Sequence, residues 1–255
     1  MEIEGRVALV TGGATGIGHA TVLHLARSGA AGVVINYRSA KDKAEELADQ
    51  VRKLGSDAMC VYADLKDDNQ VRDMVRQVTE KYQRLDILVN NAGVTHWVPI
   101  ADLEGLTEEM WDDILDVNLK AAFSCTRAAA TALSETQGMV INVSSTSGVL
   151  ATTTISSLAY GCSKAALIYL TRGLAVSLAP KVRVNAVAPA FTDTEWMQNH
   201  FGDDYEQVVA KASAGYPLGR IGTTEDIAAA IIGMITGGDF VTGQTLLIDG
   251  GLSLS

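Results

Sequence analysis

The chain lacks several things that would commit it to particular tasks. Among its 255 residues there are 4 prolines, and we find no Pro-, Gly- or Ser-rich linker, no low-complexity tract and no internal repeat. A single α/β domain over residues 1–255 is therefore expected, long enough to bury a sizeable core. Basic residues are in deficit, 20 against 30 acidic, for a net charge of −10. A chain of that sign without basic clusters has little with which to grip phosphates, which argues against nucleic-acid and anionic-membrane partners. No apolar run approaches the ~20 residues that span a bilayer. The opening Met1-Glu2-Ile3-Glu4 has neither the basic start nor the apolar core of an export signal. The three cysteines, Cys60, Cys125 and Cys162, are odd in number and lack metal-ligand spacing, so reduced thiols, a cytoplasmic setting and no bound metal are expected. The 4 histidines, His19, His24, His96 and His200, stand in no recognisable hydrolase context.

What is present is alternation. Strand-like apolar runs cover Val7–Val10, Val33–Tyr37, Ala58–Tyr62, Ile87–Asn90, Val140–Ser144, Val182–Val187 and Thr245–Ile248. Helical patterns lie between them over Gly16–Ser28, Ala40–Leu54, Gln70–Tyr82, Thr107–Leu133, Leu158–Leu178 and Glu225–Ile235. This predicts a doubly wound parallel (Rossmann) sheet of about seven strands with helices on both faces. Such sheets bind ligands beyond the carboxyl ends of the strands, where the winding reverses. The segment 191–216 breaks the alternation and gathers Trp196, Met197, Phe201 and Tyr205. It reads as a small satellite core or, beside a reaction centre, as a substrate lid that excludes water.

Three local patterns carry chemistry. The first strand runs into Gly12-Gly13-Ala14-Thr15-Gly16-Ile17-Gly18 and then a helix. Backbone N–H groups and the positive helix end there suit a pyrophosphate, although the spacing is Gly-x3-Gly-x-Gly and not the commoner GxGxxG. Farther on, Tyr160 and Lys164 are four apart and share a helix face. An ammonium ~4 Å from a phenol would stabilise the phenolate by ~4 kcal/mol at an effective dielectric of ~20, bringing it roughly three pKa units toward neutrality. Ser144, Ser145 and Ser147, at the end of the fifth strand, are competing hydroxyl donors to a developing oxyanion.

Thr11-Gly12-x3-Gly16-x-Gly18, Asn90-Asn91-Ala92-Gly93, Ser145 and Tyr160-x3-Lys164 occur in one order within one short chain. Together they resemble the short-chain dehydrogenase/reductase family, from about Arg6 to Gly251. The resemblance selects Ser145, three residues before Gly148. It implies a catalytic tetrad of Asn118, Ser145, Tyr160 and Lys164, with Asn118 holding a water that links Lys164 to solvent. It also implies that Gly12, Thr15, Gly16, Ile17 and Gly18 cradle the cofactor, that Asp64 and Leu65 meet its adenine, and that Asn91, Ala92 and Gly93 run along it. Pro189, Thr192 and Thr194 would face the carboxamide, while Tyr160 and Lys164 would reach the nicotinamide ribose. At the residue after Pro189 the family usually has glycine and this chain has Ala190, which puts the path of that loop in question. The loop from Thr146 to Ser157 is a little longer than in many relatives.

Family members that use NAD close the second strand with an acid; here it ends Asn36-Tyr37-Arg38-Ser39. Arg38 and Ser39 are placed for a 2′-phosphate, so NADP(H) is expected. The implied activity is hydride transfer between the nicotinamide and a carbonyl or secondary alcohol, as in ketone or 3-oxoacyl-[acyl-carrier-protein] reductases. Two alternatives are an NAD-dependent sugar or alcohol dehydrogenase and a catalytically silent dinucleotide-binding regulator. Trp97 and Trp196 suggest a bulky apolar or aromatic small-molecule substrate, and Lys120, Arg127 and Arg172 a basic patch for an acidic carrier. The apolar, small-residue surfaces of the helices over 107–133 and 158–178, together with the resemblance, imply a homotetramer.

Overall fold

The first strand shows why the sheet lies at the centre. In β1 (Val7–Val10) all four side chains are buried, and they alternate between two cores, Val7 and Leu9 on one side, Ala8 and Val10 on the other. A strand covered on both faces reads as an unbroken apolar run because the side-chain period is two. The computed structural model describes residues 1–151 and 156–254. With β1, the strands β2 (Gly32–Tyr37), β3 (Asp57–Tyr62), β4 (Ile87–Asn90), β5 (Met139–Val143), β6 (Arg183–Pro189) and β7 (Thr245–Ile248) form one sheet in the order β3-β2-β1-β4-β5-β6-β7, every pair parallel. This is the doubly wound sheet expected from the alternation. Its winding reverses between β1 and β4, so the loops leaving those strands diverge and open a crevice.

Helices α1 (Gly16–Arg27), α2 (Lys41–Lys53) and α9 (Thr224–Thr236) cover one face, where Val22, Leu25, Leu47, Ile227 and Ile231 pack against Val10, Val33 and Ile35. Helices α3 (Asp68–Tyr82), α5 (Ala121–Thr136) and α6 (Leu158–Leu178) cover the other through Val71, Met74, Cys125, Leu133 and Ala175. Between β4 and β5 the register pairs Asn90 with Asn142. Asn90 Nδ2 donates to Asn142 Oδ1 (2.9 Å) and to Thr126 Oγ1 (3.1 Å), and Asn142 Nδ2 donates to Thr171 Oγ1 on α6 (2.9 Å).

Two segments depart from the sequence reading. The stretch expected as one helix over 107–133 is α4 (Glu108–Leu115), a π turn over Asp116–Lys120, and then α5, which continues to Thr136. Segment 191–216, irregular in the sequence, holds α7 (Glu195–Phe201), a 3₁₀ turn over Gly202–Asp204 and α8 (Tyr205–Ser213). These helices gather on their own cluster of Phe191, Met197, Tyr216 and Ile221. Tyr216 Oη accepts from the Phe191 N–H (3.1 Å) and Tyr205 Oη donates to Asp193 (2.6 Å), tying the segment to the loop after β6. The loop from Thr146 to Ser157 begins with a 3₁₀ turn over Thr146–Gly148, and its residues 152–155 lie outside the described residues.

Candidate active site

The crevice is built from the end of β1. Thr11 Oγ1 accepts from the Asn91 and Ala92 N–H groups (3.0 and 3.1 Å), which joins the loop after β4 to the glycine turn. Asn91 Nδ2 returns two bonds, to the Thr11 and Gly12 carbonyls (3.0 and 3.1 Å). From the other side, buried Asn36 accepts from Gly12 N through Oδ1 (3.1 Å) and from Gly13 N through its carbonyl (2.9 Å). Gly12 has φ +59, and a Cβ there would stand 3.0 Å from the Ala92 Cα. At Gly18 a Cβ would meet the Gly12 carbonyl oxygen at 2.4 Å, so α1 can lie this close to the turn only with glycine. Side chains cap the N-termini of α3, α4, α6, α7 and α9, but Thr15 makes no such bond on α1, whose first turn carries no acid. Uncapped N–H groups and the positive helix end therefore face the crevice, an arrangement made for an anion.

At the other end α6 brings up Tyr160 and Lys164. Ser145 stands beside the Tyr160 phenol, and its Oγ accepts from Ser147 N (3.1 Å). Ser144, the competing candidate, instead donates to the Lys164 carbonyl (2.8 Å) and is spent on holding α6 to β5. The expected lowering of the phenol by Lys164 is not found. Lys164 Nζ donates to the Val143 carbonyl (2.9 Å) and lies 5.5 Å from the Tyr160 ring centroid. Burial pushes the phenol up to about 12, with the neighbouring Ser145 hydroxyl acting the other way, and burial brings the Lys164 ammonium down to about 8. Asn118 sits buried in the π turn, where its Oδ1 accepts from Val94 N (2.8 Å) and its Nδ2 donates to the Val94 carbonyl (3.0 Å) and to Ser163 Oγ (3.1 Å). A π turn commonly marks a functional position, and this one sets an amide between the loop after β4 and α6.

Both ends open into one cavity of about 950 Å³. Its wall beside Tyr160 is aromatic. Trp196 lies 6.4 Å from the Tyr160 ring and 5.5 Å from Trp97, and Trp97 stacks on His200 at 3.6 Å and 11°. A cavity joining a helix-end anion site to a Ser–Tyr–Lys cluster across the winding reversal of a parallel sheet invites comparison with known proteins. A family model described as enoyl-(acyl carrier protein) reductase matches residues 12–253. A Streptomyces violaceoruber protein named as the provisional ketoacyl reductase 2 of granaticin polyketide synthase is 40% identical over 98% of this chain and 97% of its own. The 3-oxoacyl-[acyl-carrier-protein] reductase FabG of Thermotoga maritima is 36% identical over 99% of each. A solved short-chain dehydrogenase/reductase from Serratia marcescens superposes with a TM-score of 0.89 at 34% identity, covering 99% of this chain and 100% of that one.

The chain belongs to the short-chain dehydrogenase/reductase family. As a member it is an oxidoreductase working with a nicotinamide dinucleotide, and the residues present fit that group. The glycine turn and the loop after β4 lie together at the cavity wall, the α1 N–H groups can take the pyrophosphate, and Arg38, Ser39, Asp64 and Leu65 line the cavity on one side while Tyr160 and Lys164 line it on the other. Thr15, Gly16, Ile17, Asn91, Ala92, Gly93, Ser145, Pro189, Thr192 and Thr194 line it as well.

Two of the residues anticipated for this oxidoreductase stand behind the wall. Gly18 packs against the underside of the turn, and Asn118 holds the loop after β4 without facing the cavity. Ala190 raises no strain, since its φ is not positive and its N–H donates to the Ile248 carbonyl (3.0 Å). The basic patch is largely neutralised, as Lys120 pairs with Asp116 (3.1 Å) and Arg127 with Asp68. Sequence reasoning passed over Asn36 and Thr11 as the pins of the glycine turn. The one signal was a polar residue inside the second strand and another directly after the first. Among the described residues no helix is long and apolar enough to cross a membrane.

Proposed function

We propose that this oxidoreductase is an NADP(H)-dependent carbonyl reductase acting on a ketone or 3-oxoacyl group, with Tyr160 as proton donor. The observation that carries the reading is the gathering of Ser145, Tyr160 and buried Lys164 at one end of a dinucleotide-sized cavity. When bound, the nicotinamide exchanges hydride with the carbonyl carbon. Tyr160 supplies the proton at the carbonyl oxygen, and a phenol pushed up to about 12 is fully protonated near neutrality, the state needed for reduction. Ser145 donates to the same oxygen as charge develops. Lys164 holds the ribose side of the site, and Asn118 positions α6 against the loop after β4. Gly12, Thr15, Gly16 and Ile17 would hold the cofactor's phosphates, with Gly18 packed beneath the turn that carries them. Arg38 is exposed, lines the cavity and has no carboxylate partner among the described residues, which leaves its guanidinium for a 2′-phosphate. Retention of Asn118, Ser145, Tyr160 and Lys164 weighs against a silent regulator.

The whole chain acts as one catalytic and dinucleotide-binding unit, with residues 191–216 as a substrate lid over the apolar end of the cavity. It works as a cytoplasmic homotetramer. Free thiols at Cys60, Cys125 and Cys162 support the compartment, and exposed Phe123 on α5 with Tyr169 and Val176, seven apart on α6, support the assembly. A nicotinamide-absorbance assay with NADPH and NADH against matched ketones, 3-oxoacyl thioesters and α,β-unsaturated thioesters tests the function. Turnover of the carbonyl compounds with NADPH is expected. Reduction of the carbon–carbon double bond alone, or of no substrate while both cofactors bind, overturns it.

A further inference from the structure

The apolar end of the cavity presents rings, and their arrangement says more than that the substrate is bulky. Trp196, on α7, is 43% exposed although it lies between the Tyr160 ring and Trp97. Trp97 is held in place by His200 stacked on it at 3.6 Å and by Phe201 at 6.3 Å. The Tyr160–Trp196 and Trp196–Trp97 planes meet at 57° and 52°, so the three rings form a faceted wall of the cavity leading away from the phenol. A carbonyl oxygen at the Tyr160 and Ser145 hydroxyls therefore has a substituent directed along this wall. An alkyl chain would gain only buried area there, whereas a flat ring would add offset and edge-to-face contacts to tilted indoles. Open apolar surface beside a few convergent polar groups is also the usual make-up of a small-molecule site.

We propose that Trp196 and Trp97 make this site selective for planar aryl ketones over straight-chain ketones of similar size, Trp196 as the direct platform and Trp97 as its fixed support. The proposal rests on the carbonyl-reductase reading. The test compares kcat/KM for 2-acetylnaphthalene and 2-decanone with NADPH in wild type, Trp196→Leu, Trp97→Leu and Trp196→Phe. The wild type should prefer the naphthyl ketone at least tenfold. Trp196→Leu should lower that ratio about tenfold, chiefly through the aryl KM, Trp97→Leu should lower it less, and Trp196→Phe should keep it within about threefold. In parallel, calorimetric binding of 1-(2-naphthyl)ethanol to the protein without cofactor should weaken about tenfold in Trp196→Leu and remain in Trp196→Phe. An unchanged ratio with unchanged alcohol binding, or equal losses for both ketones, overturns the assignment. If neither ketone is reduced by any of the proteins, the carbonyl-reductase reading fails instead, and the alcohol titration alone decides whether the wall selects rings.

Discussion

Replacing Lys164 by methionine should produce a stability difference from wild type that changes with pH in one window. Burial lowers the ammonium from the ordinary 10.5 to about 8. A gap of roughly 2.5 between the free and folded values corresponds to ~3 kcal/mol at 1.36 kcal/mol per unit. The sign follows from proton counting. Below about 8 both folded and unfolded chains carry the charge and the fold bears the whole penalty. Between about 8 and 10.5 the folded lysine is neutral while the unfolded one is still protonated, so wild-type stability recovers as pH rises. Methionine keeps most of the side-chain volume without the charge, and it leaves the Val143 carbonyl unpaired at a pH-independent cost of ~1–3 kcal/mol. Burial also raises Tyr160, but that group is present in both proteins and cancels in the difference. Guanidinium unfolding of the cofactor-free proteins at pH 7 and pH 10.5 should show the wild type gaining ~3 kcal/mol on the variant, or ~6–12 °C in Tm for a chain of this size. A difference that stays flat across that window would mean that water reaches Nζ and that the buried-ammonium account of the site is wrong.

Tyr160→Phe should bind cofactor as wild type does and lose more than nine-tenths of kcat; a variant above that level, a barrier change below ~1.4 kcal/mol, removes Tyr160 from the proton-transfer role. Arg38→Ala should raise the KM for NADPH about tenfold and leave NADH nearly unchanged, and Tyr37→Asp combined with it should favour NADH; equal weakening of both cofactors would make Arg38 a bystander. Gly18→Ala and Gly233→Ala make the same change in two helices with opposite outcomes expected. At Gly18 the new Cβ meets backbone, the Gly12 oxygen at 2.4 Å and the Gly13 Cα at 2.9 Å, and an overpacking cost of ~1–3 kcal/mol exceeds the ~1 kcal/mol helix gain. At Gly233 nothing lies within 4 Å, so thermal unfolding should show a gain of ~0.5–1 kcal/mol.

The sheet was legible in the sequence because each buried strand is an apolar run bounded by helical periodicity, and β1, β4 and β7 match residue for residue. The glycine turn and the Tyr160–Lys164 pair were legible because their chemistry depends on local spacing. What spacing could not give is the direction of a long side chain. Four residues apart on a helix puts Lys164 near Tyr160, yet the buried Val143 carbonyl captures Nζ and burial then decides both pKa values. The π turn at Asp116–Lys120 was equally hidden, since the bonds that Asn118 makes from it to Val94 and Ser163 join residues 24 and 45 apart in sequence. The same holds for Asn36 and for the Trp97–His200 stack, which exist only once separate loops have met.

The amide line from Asn90 through Asn142 to Thr171 has a mechanical meaning. Apolar side chains tolerate sliding, because one methyl group replaces another at little cost, and a sheet held by them alone could settle a step out of alignment. Here a one-residue slip of β5 along β4 would turn Asn142 to the opposite face, away from both Asn90 and Thr171, and leave its buried amide without those partners. Thr171 carries the reference onward to α6, the helix whose first turn bears Tyr160. The line works as a datum edge: it fixes where the phenol stands relative to the strand whose loop carries Asn91, Ala92 and Gly93, from a place three turns away that no substrate touches. Exchanging both asparagines for leucine would thus leave a folded protein whose two motif-bearing elements are free to be misaligned, with catalysis lost by displacement and not by unfolding.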